Sequence, residues 1–261
     1  MLEGIISGII QGIFEWLPVS SQGVITMVSE ILMDYEFESA IALGIWLHSG
    51  TSLAALIIFR EDLKMLLLQL KNSNANNFSR NYVYTTFISA IIGFPILLFL
   101  GEINIQSGSA VMVLIGLAMT ITSVFLKFSR VIKDERALAD ISIKDSILIG
   151  AIQGLSAIPG LSRSGVTVAV LLGRGFGRKD ALRFSFMLSI PVSLGAALVA
   201  GIRYELPQST VGAVGALTAL LVGLVSIKAL LALSGKINFS MFMGIAGIAI
   251  LAGGLFQIMA S

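Results

Sequence analysis

GIIQGIFEWLPVSSQG, residues 8–23, aligns without gaps on GAIQGLSAIPGLSRSG, residues 150–165, at a constant offset of 142. Gln11, Gly12, Ser20 and Gly23 meet Gln153, Gly154, Ser162 and Gly165, while Pro18 and Pro159 differ by one position. Each copy reads as a short helical run, then a proline that removes a backbone donor and turns the preceding residue out of the helix. A second run follows, opening on serines whose hydroxyls can cap it. The pattern describes a helical hairpin. At membrane depth such a break is tolerated only where it is buried in protein or lines a cavity.

The surrounding chain is apolar enough for that setting. Of 261 residues, 56% are hydrophobic and 12% charged, with a mean hydropathy of +0.94. A spanning helix needs about 20 mostly apolar residues. Six stretches qualify: 41–59, 83–100, 109–126, 184–203, 211–233 and 239–258. Two interrupted stretches, 1–32 and 146–173, hold the matched motifs. Three spans separate the motifs, so the second copy enters the membrane from the opposite side to the first. The expected fold is an all-α integral membrane protein of six transmembrane helices plus two re-entrant hairpins in an inverted-topology repeat. Residues 1–261 form a single membrane domain, with repeat 1 at 1–126, a cytoplasmic connection at 127–145 and repeat 2 at 146–261.

Charge gives the orientation. Lys and Arg gather in 60–82, 127–145 and 174–183, whereas 33–40, 101–108 and 203–210 carry Asp34, Glu36, Glu38, Glu102 and Glu205 with a single base. The basic connections are therefore expected in the cytoplasm. The first segment has no basic leader and carries Glu3 and Glu15, so a cleaved signal peptide is not expected. Nucleic acid is not an expected partner, because the basic residues are spread over loops without interleaved aromatics. The absence of cysteine excludes disulfides, thiolate metal sites and a cysteine nucleophile.

Arg163 is the most informative residue. An arginine deep in an apolar stretch is costly and wants an anionic partner. One reading is a structural ion pair with Glu15 that holds the repeats together. The other takes the SRS triplet at face value: a guanidinium between the hydroxyls of Ser162 and Ser164 at a helix start suits a phosphate. Glu15 shares a helix face with Gln11 and can ligate a divalent cation, act as a general base or remain structural. His48, the only histidine, lies in the middle of the span 41–59, where packing, proton transfer and substrate contact are all open. GRGFG at 173–177 lacks a preceding strand and a Walker lysine, so it reads as a connection. KNSNANNFSRN at 71–81 reads as a solvated loop.

EWLPVSSQG (15–23), LHSGTSLA (47–54), PGLSRSGVT (159–167) and RFSFMLSIP (183–191) closely resemble the signatures of the undecaprenyl-diphosphatase family, the bacitracin-resistance type of membrane phosphatase. The resemblance spans nearly the whole chain and the motifs come in family order. It implies removal of one phosphate from a polyprenyl diphosphate lipid in the plasma membrane. It also implies a cleft open to the outer face and dependence on magnesium or calcium, and it leaves a homodimer open. By position, Glu15 matches the second glutamate of the family's acidic pair and is the implied metal ligand. Ser20 and Ser21 match its serine pair, with Ser21 or water as nucleophile, and Ser162, Arg163, Ser164 and Thr167 match its phosphate-binding motif. Gln11 and His48 complete the expected substrate contacts. Three positions depart from the family pattern: Gln11 replaces the first glutamate, Gln22 a common threonine, and Val24 the histidine that usually follows the glycine. A lipid-phosphate transporter or flippase is the alternative function, since binding would survive these losses. An ion-coupled carrier for a small anion ranks behind both.

Overall fold

The computed structural model describes residues 1–17, 19–71, 76–100, 108–128, 136–158, 161–203, 209–234 and 239–260. Pro18, Pro159 and most of the acidic connections 101–108 and 203–210 lie outside the described residues.

The chain is built from helices: α1 (Leu2–Phe14), α2 (Ser21–Met33), α3 (Phe37–Ile58), α4 (Arg60–Lys71), α5 (Asn77–Leu100), α6 (Gly108–Phe128), α7 (Ile143–Leu155), α8 (Arg163–Gly173), α9 (Arg178–Arg203), α10 (Ser209–Leu233) and α11 (Phe239–Ala260). Among the described residues, four segments are long and apolar enough to cross a membrane: Glu38–Ile58, Asn77–Phe99, Arg178–Val199 and Thr210–Leu233. The apolar windows in α6 and α11 are shorter, Met112–Phe125 and Gly244–Phe256. Bulky apolar side chains such as Phe87, Leu221 and Phe256 lie exposed on these helices, as lipid contact requires.

Both matched motifs form pairs of short helices, α1 with α2 and α7 with α8, and the second helix starts in the same way in each. Ser20 and Ser162 are N-caps in extended conformation, and each hydroxyl accepts from a glycine N–H, Gly23 or Gly165, at 3.2 Å. The cap satisfies one of the amides that a helix start leaves unpaired.

Glycine decides where the first helix of each pair packs. A Cβ on Gly4, Gly8 or Gly12 would lie 2.4 to 2.7 Å from α10 atoms of Val211, Gly215 or Val222. Gly150 and Gly154 press α7 onto α5 in the same manner, at 2.8 Å from the Thr85 carbonyl and 2.7 Å from Ile92 Cβ. Lipid tails are as apolar as the helices, so association inside a membrane depends on this closeness of backbones. α3 also packs on α9, and α6 on α11.

Two expectations need correction. Residues 77–81 are not a solvated loop: they form the first turns of α5, with Ser79 and Asn81 buried. The Asn76 side chain caps the Ser79 N–H at 2.9 Å, and Asn81 donates to the Ile141 carbonyl at 2.9 Å, so polar residues here start a helix and dock the connection. The basic stretch 174–183 is likewise partly helical, because α9 begins at Arg178. Pro191 within α9 cannot bond the Met187 carbonyl, and the Tyr82 hydroxyl donates to that oxygen instead, at 3.0 Å.

GRGFG is a connection, as expected. Gly175 takes a φ of 85° and its carbonyl accepts from the Arg136 N–H at 2.8 Å. The Arg136 guanidinium stacks 4.3 Å from the centre of the buried Phe176 ring and also pairs with Asp145 at 2.8 Å. Arg174 binds the other oxygen of Asp145 at 2.6 Å, and Ser142 and Asp145 form a capping box for α7. Burial pushes the Asp145 carboxyl up, but hydrogen bonds from Arg136, Ser142 and Arg174 outweigh it and hold the group below the usual carboxylate range.

Candidate active site

Two helix starts meet on one carboxylate. Glu15 follows the last turn of α1, and its amide still bonds the Gln11 carbonyl at 3.0 Å, so its position is fixed by the helix. Ser21, first residue of α2, donates to Glu15 Oε2 at 2.8 Å. Arg163, first residue of α8, donates from Nη2 to Glu15 Oε1 at 2.7 Å. Helix N-termini carry partial positive charge and unpaired amides, so the starts of α2 and α8 add to the field of the guanidinium.

The remaining groups come from α1 and α3. Gln11 Nε2 donates to Glu15 Oε2 at 3.0 Å and approaches Thr51 Oγ1 at 3.4 Å. His48 Nε2 lies 3.2 Å from Glu15 Oε2, and its Nδ1 is 2.8 Å from the Gly44 carbonyl. The side chains of Glu15, Arg163 and His48 are 5%, 11% and 16% exposed, which shields the cluster from bulk water without sealing it. Trp16, next to Glu15 in the chain, is fully buried and packs edge-on against Phe186 of α9 with ring centres 5.1 Å apart.

The expected residues therefore converge, but not in identical roles. Ser20 and Ser162 spend their oxygens on the helix caps, where they fix the approach of each chain. Ser164 donates to the Leu17 carbonyl at 2.7 Å and ties the second helix pair to the first. Thr167 bonds elsewhere: it donates to the Arg163 carbonyl at 2.7 Å and contacts the Ser185 hydroxyl. Sequence reasoning did not single out Ser185, whose carbonyl accepts from Arg163 Nη1 at 3.1 Å. Buried Ser185, Ser189 and Ser193 recur every four residues along apolar α9, which was the signal available. Thr51 was also passed over.

This donor set does not fit a divalent ion held by the protein. Both Glu15 oxygens already accept from protein donors, two of them on cationic or potentially cationic side chains. Its neighbour Gln11 is an amide, and no group of three His, Cys, Asp or Glu side chains converges among the described residues. A buried carboxylate faced by a guanidinium, an imidazole and two helix starts is instead suited to an incoming anion. Gln11 Oε1, buried and without a hydrogen-bond partner, is an acceptor still free to bind a hydroxyl. Arg163 has five donors, and the two contacts just described leave others for phosphate oxygens.

Comparison with known proteins agrees with that chemistry. The family model described as Bacitracin resistance protein BacA matches residues 4–253. A Methanococcoides burtonii protein named undecaprenyl-diphosphatase is 37% identical over 250 residues, covering 92% of this chain and 93% of its own. Proteins of the same name from Pyrobaculum aerophilum and Methanothrix thermoacetophila are each 34% identical, covering 97% and 96% of this chain and the same shares of their own.

Proposed function

The chain belongs to the bacitracin-resistance BacA family, and from that premise we propose that it is a membrane phosphohydrolase which converts an undecaprenyl-type diphosphate to the monophosphate and inorganic phosphate. The observation that carries this reading is the Ser21–Glu15–Arg163 contact, in which a nucleophile, its base and a phosphate-binding cation touch within one shielded site. Phosphoryl transfer asks a protein mainly for positioning and charge neutralisation.

Ser21 Oγ attacks the terminal phosphorus while Glu15 Oε2 takes its proton, and the bridging P–O bond breaks with its electron pair leaving on the polyprenyl monophosphate. Water then cleaves the phosphoserine and releases inorganic phosphate. Arg163 and the amides at the starts of α2 and α8 hold the phosphate oxygens. The resemblance implies a divalent cation, but the residues around Glu15 do not fit one, and no step here depends on it.

The membrane arrangement is six spanning helices with re-entrant pairs α1–α2 and α7–α8, in two inverted repeats (1–126 and 146–261) joined by 127–145. The packing of α1 on α10 and of α7 on α5 supports it, as does the identical capping at Ser20 and Ser162. In the plasma membrane the basic connections face the cytoplasm and the cleft opens outward. The residues argued to act all come from one chain, so turnover does not require a homodimer.

The test is phosphate release from a C55 diphosphate by the purified protein, with and without chelator. Release by wild type and its loss in Arg163→Ala are expected. Undiminished turnover by Arg163→Ala would refute the role given to the guanidinium, and lipid movement without phosphate release would favour the transporter alternative.

A further inference from the structure

Ser185 of α9 holds Arg163 of α8 from both ends. At the side chain, Arg163 Nη1 donates to the Ser185 carbonyl at 3.1 Å. At the backbone, the Thr167 hydroxyl donates to the Arg163 carbonyl at 2.7 Å, with the Ser164 carbonyl farther off at 3.3 Å, and its oxygen lies 2.5 Å from Ser185 Oγ. Carbonyls only accept, so the one hydroxyl hydrogen of Thr167 is committed to them, and the hydrogen between the two hydroxyls comes from Ser185. The bonds close a ring. It runs from the Ser185 hydroxyl through the Thr167 hydroxyl to the Arg163 carbonyl, and returns from the Arg163 guanidinium to the Ser185 carbonyl. Thr167 and Ser185 are fully buried, so bulk water does not replace a bond lost from it. The guanidinium is planar and rigid, and fixing Nη1 on Ser185 and Nη2 on Glu15 sets its plane. Its other N–H groups then point in fixed directions, on which two-point recognition of a phosphate depends. The Ser185 carbonyl is neutral, so it orients the guanidinium without cancelling its charge.

We propose that Ser185 is a positioning residue: its carbonyl directly, and its hydroxyl through Thr167, hold the Arg163 guanidinium in the plane in which its remaining donors meet the phosphate oxygens of the lipid diphosphate. The inference rests on the diphosphatase reading and adds to it a role for α9, and for Thr167 a place in the support of Arg163 instead of on the phosphate.

The experiment measures the Kd of a methylene-bridged polyprenyl diphosphate, which cannot be hydrolysed, for the purified full chain in detergent. Ser185→Ala removes one buried hydrogen bond from the ring, and its Kd is expected to rise about five-fold. Thr167→Val opens the same ring at its other hydroxyl and should match it. The double variant should then be within about two-fold of either single, whereas independent packing roles would multiply to about 25-fold. Arg163→Lys gives the readout that a merely structural role would not move. An ammonium is a point charge with no plane to orient, so in that background Ser185→Ala should change Kd by less than about two-fold. Equal losses in the arginine and lysine backgrounds overturn the proposal, as does wild-type affinity in both Ser185→Ala and Thr167→Val. Thermal unfolding in detergent identifies loss of fold, and Thr167→Val carries the test if Ser185→Ala does not fold. If wild type neither binds the analogue nor releases phosphate from the natural lipid, the diphosphatase reading fails and this inference falls with it. Wild-type binding and turnover alongside unaffected ring variants overturn this inference alone.

Discussion

Arg163 and Glu15, 148 positions apart, form a 2.7 Å ion pair between the start of the second helix of one pair and the end of the first helix of the other. The contact joins the two halves of the chain and sits where Ser21 and His48 also converge. Its removal should therefore affect stability and activity separately. Arg163→Ala strands a buried carboxylate and is expected to cost about 3–5 kcal/mol, whereas Arg163→Ala with Glu15→Gln recovers much of that loss. Thermal unfolding in detergent reads the recovery, and phosphate release should remain absent in both. Equal stability of the single and double variants would show that the charge is not buried as described.

Ser21 donates directly to Glu15, so Ser21→Ala should lower kcat by about 100-fold or more with a smaller change in KM. Rapid quenching with diphosphate labelled in its terminal phosphate should trap a phosphoserine in wild type and none in the variant. Labelled protein in Ser21→Ala would shift the nucleophile elsewhere.

Close backbone contact between α1 and α10 predicts a steep cost for small additions. A Cβ at Gly8 would lie 2.4 Å from the Gly215 carbonyl, so Gly8→Ala is expected to destabilise by about 1–3 kcal/mol. Gly195→Ala, with open space around it, is the control and should gain slightly from lower flexibility of the unfolded chain. Comparing the melting temperatures of the two tests the packing itself.

Asp145 predicts an acid limb in stability. Because its folded carboxyl titrates below the usual range, its contribution is fully present above an ordinary carboxylate pKa of about 4 and is lost as pH falls toward the folded value. Asp145→Asn should cost about 2–3 kcal/mol at neutral pH and flatten that limb. Unfolding curves from pH 7 to pH 3 supply the measurement, and an unchanged limb in the variant would remove Asp145 as its source.

Gln11 makes the metal argument testable without turnover. Wild type free of lipid should show no tight manganese site by electron paramagnetic resonance, since Glu15 is occupied by protein donors. Gln11→Glu places a second carboxylate four residues away on the same helix face and should introduce one. A tight site in wild type would return the cation to Glu15.

Much was legible in the sequence because it depended on local or unusually costly features. A serine just before an apolar helical run caps it with its own hydroxyl, a local preference, so the matching caps at Ser20 and Ser162 were legible from the repeat. Arg163 and Glu15 were expected to meet because a charge among apolar helices needs a partner. Polar residues at 77–81 misled, since a helix start and a solvated loop use the same amino acids and are distinguished by what packs against them.

Local patterns in the chain were enough to show a helical membrane protein with a repeated broken-helix motif, and they pointed to Glu15, Ser21 and Arg163 as one cluster. Only the packing of distant helices settled which Glu15 oxygen Arg163 and His48 each approach, that His48 of α3 completes the carboxylate's shell, and that Thr167 meets Ser185. Periodicity and cost of burial are properties of a segment in its solvent, whereas a 3 Å contact between distant helices depends on how closely their glycines let the backbones approach.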